Sequence, residues 1–434
     1  MTGATTGAGL AAPPRPARPA RKRRSPVRHA LVVTHRWTSL VLGVLLVLIT
    51  TSGVVVLYQP ELHRAFNASA FTTSTSADAA HHARVPLSAA IDTVQRSHPN
   101  FATAAVYDNG DVYTVYDESY TDAWTVDPAT GAVLGHVNPD PAWLDFAVNL
   151  HECLLTCEGH AGYIAALTTP LPHTNLGGWL GHDRDLTIGN LLLGAMGLLL
   201  LFLCVSGVWL WFPRPKRWKQ GFTIRWDRGR FARDTDLHKV IGVLALAPLL
   251  VWGLTGSGYE LGFVEKAWFA LTPGSEVEGP EPVHLAATVT PPALPVSEEA
   301  AVALALAAHP GTRVAALVPP TQETPTTTVW LSTPHDPYAR LPYPGDVGVE
   351  IDPSTGTAQT TYGFAGQPLT PTWQAWNFPV HTGYVVNGWW RLLWVAFGLT
   401  PLALAITGTS TWLVRRKTAK NRRAAQRARV PLGS

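Results

Sequence analysis

Residues Leu31–Tyr58 read LVVTHRWTSLVLGVLLVLITTSGVVVLY. A histidine and an arginine stand near the start. The rest is almost wholly apolar or small, and long enough for the roughly 20 helical residues that cross a bilayer. The run exceeds the roughly 7–15-residue apolar core of a cleaved signal peptide, so it reads as a persistent anchor. Three stretches match it: Ile188–Phe212, Leu237–Phe263 and Trp389–Val414. The expectation is an α-helical membrane protein with four transmembrane helices. Mean hydropathy over the 434 residues is only +0.09, so the spans are a minority and long soluble segments lie between them. A net charge of +3 gives no reason to expect a nucleic-acid partner.

Lysine and arginine sort the two faces. Arg15, Arg18, Arg21, Lys22, Arg23, Arg24 and Arg28 precede the first span, and Arg214, Lys216, Arg217 and Lys219 open the loop 213–236. Further basic residues from Arg415 to Arg429 fill the last tail, while Arg36 and Lys239 lie at the same end of their helices. This places segments 1–30, 213–236 and 415–434 in the cytoplasm and segments 59–187 and 264–388 outside. The composition, rich in Arg, Ala, Pro and Gly, is that of a GC-rich bacterial genome, so the membrane is the bacterial plasma membrane. The basic tails read as topology signals resting on anionic headgroups of the bilayer.

The chain repeats itself. His35-Arg36 opens span one and Ser52-Gly53 closes it; His238-Lys239 opens span three and Thr255-Gly256 closes it, with 18 residues from His to Gly in both. Spans two and four leave the membrane alike, through Ser206-Gly207 and Thr407-Gly408. Between the spans, His98-Pro99 and Asp127-Pro128-Ala129-Thr130-Gly131 match His309-Pro310 and Asp352-Pro353-Ser354-Thr355-Gly356. The unit is helix, outer domain, helix, present twice as a parallel repeat. In the first outer domain, about 85–138, the pattern predicts a helix over Val85–His98 and strands over Ala104–Tyr116 and Ala123–Val126. In the second, about 290–360, it predicts a helix near Ser297–Ala308 and strands near Arg313–Val318, Thr326–Leu331 and Gly348–Asp352. Two small α+β domains facing outward follow.

Four of the sixteen histidines stand apart by position. His35 and His238 share one membrane face, while His151 and His381 precede spans two and four on the other. Each ring alone reads as interfacial. Together they make one pair per face, each pair split between the repeats, and ionisable groups at spans point to function. Neutral imidazole is an axial ligand for haem iron, and facing helices of a bundle can hold a haem between two such rings. Gly43, Gly53, Gly207, Gly242, Gly256 and Gly408 read either as room for a flat macrocycle or as ordinary helix contacts. For Cys153 and Cys157 a disulfide and two free thiols both stand open; Cys204 reads as a small core residue.

The order His35-Arg36-Trp37, Thr51-Ser52-Gly53, Leu150-His151, Ser206-Gly207 with Trp209-Leu210-Trp211, Leu237-His238-Lys239, then His381 before a Gly-containing span, resembles the PepSY-associated transmembrane family over about residues 29–415. The outer segments, with their Asp-Pro-x-Thr-Gly turns, are similar to PepSY domains. The resemblance implies two haem b groups, held by His35 with His238 and by His151 with His381, in a membrane ferric reductase that delivers electrons to a ferric siderophore outside. No dinucleotide fingerprint follows a strand, so a quinol or a separate cytoplasmic reductase is the electron donor. One departure is that 36 residues separate His151 from span two, among them His160, His173 and His182, which makes His160 the substitute ligand for His151. The alternative implied by PepSY domains is a non-enzymatic module that binds or restrains an extracellular peptidase. That reading needs no paired intramembrane histidines.

Overall fold

The computed structural model describes residues 25–73, 84–182, 184–211, 215–274, 295–322, 324–339, 343–363, 369–385 and 388–427. Among the described residues, two helices are long and apolar enough to cross a membrane alone. One is α6 (Ile188–Trp211); the other runs through α12 (Gly388–Gly398) and α13 (Thr400–Arg427). Two bent pairs reach that length together. Helices α1 (Pro26–Val41) and α2 (Gly43–Val56) meet at 61°, and α7 (Arg230–Leu244) and α8 (Leu246–Gly258) meet at 63°. The stretches 31–58 and 237–263, read from the sequence as spans, are each built here around a bent pair of helices. Pro248, in the first turn of α8, has no N–H to return to Leu244 and its ring crowds that carbonyl. Gly43 follows the other break and brings no Cβ to stiffen it. Both breaks, at Leu42 and Ala245, fall seven residues after a histidine, His35 and His238.

The segments between these helices build one antiparallel sheet. After α3 (Gln59–Phe66) come α4 (Leu87–Ser97) and strands β1 (Thr103–Asp108), β2 (Tyr113–Asp117), β3 (Ala123–Val126) and β4 (Val133–Val137). The later segment supplies α10 (Glu298–Ala308), then β5 (Arg313–Val318), β6 (Thr327–Ser332), β7 (Val347–Ile351) and β8 (Ala358–Gly363). Strands β1 and β5 pair antiparallel, with Val106 opposite Leu317, so the eight strands run β4-β3-β2-β1-β5-β6-β7-β8. The sequence suggested two separate small domains, without β4 or β8. They instead share a sheet, and Leu87, Ile91 and Val94 of α4 join Ala301, Leu304 and Ala305 of α10 in one buried core over it. Pairing β1 with β5 hides two edges that would otherwise be open.

The Asp-Pro-x-Thr-Gly turns close with the same hydrogen bonds in both halves. Gly131 N–H donates to Asp127 O and Gly356 N–H to Asp352 O, both at 2.8 Å. Each glycine has a positive φ, +70° and +73°, which a Cβ would strain. Pro128 O and Pro353 O then accept from Val85 and Val296, again both at 2.8 Å, tying each turn to the chain entering its helix. Residues 290–294, which the sequence reading includes in the second domain, lie outside the described residues.

Helices α5 (Ala142–Glu152), α9 (Gly262–Leu271) and α11 (Leu369–Thr382) connect sheet to bundle. A charged clamp joins α3 to α12. The buried Arg391 guanidinium pairs with Glu61 through two nitrogens, donates to Leu57 O, and lies between the rings of Tyr58 and Tyr384, 4.3 and 4.1 Å from their centroids. Glu61→Gln leaves that cation buried without its counter-charge. Breaking a fully buried pair costs about 3–5 kcal/mol, and Glu61 is half exposed, so about 2 kcal/mol is expected here. A thermal melt of the detergent-solubilised variant measures it; an unchanged midpoint would show that solvent screens the pair.

Candidate functional site: two facing histidine pairs

Four histidines converge in two pairs. The rings of His35, on α1, and His238, on α7, lie 6.5 Å apart between centroids, with planes at 80°. Those of His151, on α5, and His381, on α11, lie 6.1 Å apart at 45°. Helix α5 reaches back from the sheet to lay His151 against α2, and the last turn of α11 brings His381 against α8.

All four rings are anchored through Nδ1. His35 Nδ1 lies 2.8 Å from Ser206 Oγ, and His381 Nδ1 lies 2.7 Å from Thr255 Oγ1. His238 Nδ1 lies 3.1 Å from both Leu404 O and Thr407 Oγ1, and His151 Nδ1 lies 2.8 Å from Ile49 O. A carbonyl only accepts, so His151 and His238 carry their proton on Nδ1. A hydroxyl has one proton, and each of these spends it on its own helix. Ser206 Oγ donates to Phe202 O at 2.6 Å, and Thr255 Oγ1 donates to Val251 O at 2.8 Å. His35 and His381 therefore donate from Nδ1 as well. The result is four Nδ1–H tautomers, each with a lone pair on Nε2, and no described residue hydrogen-bonds to any of those four nitrogens. Burial holds the His151 and His381 imidazoles below their ordinary pKa, so both stay neutral. Neutral imidazole, fixed at one nitrogen and free at the other, is the form that ligates a metal.

Small residues make room for the rings. A Cβ on Gly53 would stand 2.4 Å from His151 Cε1, so only glycine lets that ring lie against α2. Gly408 and Gly207 flank the other pair more loosely, with Cβ positions 3.4 Å from His238 Cε1 and 3.7 Å from His35 Cε1. A cavity of about 360 Å³ opens beside His35 and His238, walled by Leu46, Leu200, Leu203, Leu246 and Leu249, with the free thiol Cys204 also lining it. Its volume is within the range of small-molecule and cofactor sites.

The other sequence candidates lie elsewhere. His160 pairs with Asp145 at 2.6 Å on an exposed surface, so the ring opposite His381 is that of His151. His182 Nε2 bonds Gly258 O, and His173 is held by its backbone to Asp185. A disulfide joins Cys153 to Cys157. It opens the long excursion before α6, in which Leu154, Leu155, His173, Leu176 and His182 all adopt positive φ. Desolvation by the surrounding protein raises the Glu152 carboxyl above the ordinary range despite the nearby His160.

Sequence reasoning missed the groups that hold the rings: Ser206, Thr255, Thr407 and the Ile49 carbonyl, which Ser52 Oγ also uses at 2.9 Å. It missed Trp252 and Trp394 too, whose indole N–H groups both donate to His381 O, at 2.9 and 3.1 Å. A signal for the first set was present. The recurring Ser/Thr-Gly dipeptides mark where a hydroxyl and a gap meet an imidazole.

Among known proteins, the family described as the PepSY-associated TM region matches residues 32–415. An uncharacterized protein of Pseudomonas aeruginosa is 39% identical over 74 residues, a stretch covering 17% of this chain and 18% of that one.

Proposed function

The chain belongs to the PepSY-associated transmembrane family, and from that premise we propose that it is a haem-b electron-transfer protein of the bacterial plasma membrane, reducing a ferric complex such as a ferric siderophore on the outer side. In this reading each bent pair is one span, giving four. Both termini are cytoplasmic, and the joined sheet is a pair of PepSY domains outside. The observation that carries the reading is the set of four Nδ1-anchored imidazoles in two facing pairs. His35 and His238 form the inner pair, His151 and His381 the outer.

The donor set fits haem. Among the described residues no three His, Cys, Asp or Glu side chains gather to hold a metal ion. A bare ion between two imidazoles would be short of the four ligands usual for zinc. A macrocycle that carries its own nitrogen donors would need only such a pair, and His35 with His238, and His151 with His381, would hold it. Rings 6.5 and 6.1 Å apart match two metal–imidazole bonds of roughly 2 Å plus two ring radii of about 1 Å. When bound, such a group supplies one-electron exchange at its iron, and one on each face would make a path across the bilayer.

The chain's own residues do the rest. The Nδ1–H bonds fix each imidazole plane and raise the basicity of Nε2. The leucine walls exclude water from the inner cavity, and Gly53 admits the His151 ring. Removing one orienting hydroxyl should therefore weaken the site without emptying it. Ser206→Ala is expected to raise the haem dissociation rate from the inner pair by about 10–100-fold, the usual cost of losing such a partner. Stopped-flow transfer to a haem-scavenging protein measures it, and an unchanged rate would remove Ser206 from the site.

Reoxidation tests the acceptor. Purified protein reduced with dithionite and mixed with a ferric siderophore should lose its reduced absorption bands while a ferrous chelator captures Fe²⁺. Bands that stay reduced would rule out a ferric siderophore as acceptor. A reporter fused to the C-terminus and found outside would overturn the topology.

A further inference from the structure

The inner cavity has a charged rim. Arg36 and Lys239 each follow a pair histidine by one residue, and both line the cavity. Cations at a cytoplasmic helix end satisfy the inside-positive bias and alone point to nothing further. Arg36 goes beyond that bias. Its Nε is buried with no hydrogen-bond partner, and its guanidinium carbon lies 5.5 Å from the Trp37 ring centroid. A buried N–H donor left unpaired is costly, and buried donors are seldom left so. Lys239 is loosely held: its ammonium stands 3.6 Å from Asp236, a carboxylate that Arg225 already grips at 2.7 and 2.9 Å. The cavity wall below this rim is apolar. Arg415 also lines the cavity, but its guanidinium lies over the Phe231 ring, 5.0 Å from the centroid. A largely apolar slot that leaves Arg36 and Lys239, one from each half of the repeat, under-used suits a flat apolar ligand with two anionic groups on one edge.

We infer that Arg36 and Lys239 bind the two carboxylates of the macrocycle seated between His35 and His238, which makes the inner site selective for an anionic haem. This rests on the haem reading above. Arg36, which lines the cavity and whose buried Nε has no hydrogen-bond partner, carries the larger share; Lys239, partly screened by solvent and Asp236, carries less.

Haem b and its dimethyl ester, which keeps the macrocycle and iron but lacks both carboxylate charges, separate the two ideas. Each is titrated into the full-length, haem-free chain in detergent, in a His381→Ala background so that only the inner pair binds. Arg36→Gln should weaken haem b by about tenfold, the loss of one hydrogen bond to a charged group, and leave the ester's affinity unchanged. Arg36→Lys should recover most of the loss, since it restores the charge. Lys239→Gln should show the same selectivity at smaller size. If Arg36→Gln weakens haem b and the ester equally, Arg36 serves the fold and the inference fails while the haem reading stands. The same holds if haem b binds the variant as tightly as the parent, the result expected if the rim holds only lipid headgroups. If neither ligand binds the parent, the haem reading fails and this inference with it.

Discussion

On the proposed haem reading, His238→Ala is expected to empty the inner site and leave the outer one intact, so that haem per chain falls to about half, each haem being held by its own histidine pair. The remaining spectrum should be that of the His151–His381 site. His238 sits on α7, its Nδ1 held by Leu404 O and Thr407 Oγ1. The outer rings are anchored to Ile49 O and Thr255, on different helical segments, so losing His238 does not unlatch them. His35→Ala should give the same result. Haem content measured against protein, together with the reduced-minus-oxidised spectrum, decides it. Full haem content in both variants would exclude the inner pair, and total loss in either would show that the sites do not load independently.

Gly53→Ala is the second large expected effect: on the same reading it should remove the outer haem without changing either proposed ligand. The added methyl would lie 2.4 Å from His151 Cε1 and 2.8 Å from Nδ1. Real Cβ atoms do not approach that closely, so the ring must move. His151 is tied to Ile49 O of the same helix α2, so it cannot retreat and keep that bond. Forcing a methyl into a packed site costs typically about 1–3 kcal/mol in strain, and here the strain falls on an imidazole that must aim its Nε2 within a few tenths of an ångström. The expected outcome is loss of the outer haem, as in His151→Ala, with the inner spectrum unchanged. Gly207→Ala is the control. Its Cβ would meet His35 Cε1 at 3.7 Å, an ordinary contact, so haem content should stay as it was. Should Gly53→Ala retain both haems, the outer assignment is wrong.

Much of the architecture can be read from the sequence, because the repeat displays it. Four apolar stretches, the His-to-Gly spacing and the paired Asp-Pro-x-Thr-Gly turns are local signals, and local signals survive in a linear reading. The bends at Leu42 and Ala245 do not, since hydropathy averages over a kink. Pro248 was the available hint at the second break, and Gly43 a weaker one at the first. Strand β4 contains Gly135 and His136 and strand β8 is rich in Thr and Gln, so neither shows the apolar alternation that marks a half-buried strand. The seam between β1 and β5 joins residues some two hundred positions apart, and no pattern within either segment specifies it.

The site divides in the same way. The four histidines stand out by their matched places in the repeat. The choice between His151 and His160 could not be made from spacing, because the long excursion after Cys153 breaks the correspondence between the halves. In the fold that excursion packs against α9, where Gly262 N–H donates to Leu180 O and Phe263 N–H to Trp179 O, and it leaves His160 on the surface with Asp145. The tautomers were beyond reach as well. They depend on which hydroxyl and carbonyl each Nδ1 meets, and those partners lie on other helices, between 102 and 171 residues away in the chain.

The central claim is that the facing imidazoles are haem ligands, and haem stoichiometry tests it most directly. Full-length protein, expressed with haem supplied and purified in detergent, should carry about two haem b per chain by pyridine haemochromogen assay, with the low-spin spectrum of iron held between two histidines. A folded, monodisperse preparation that binds no haem would contradict the account.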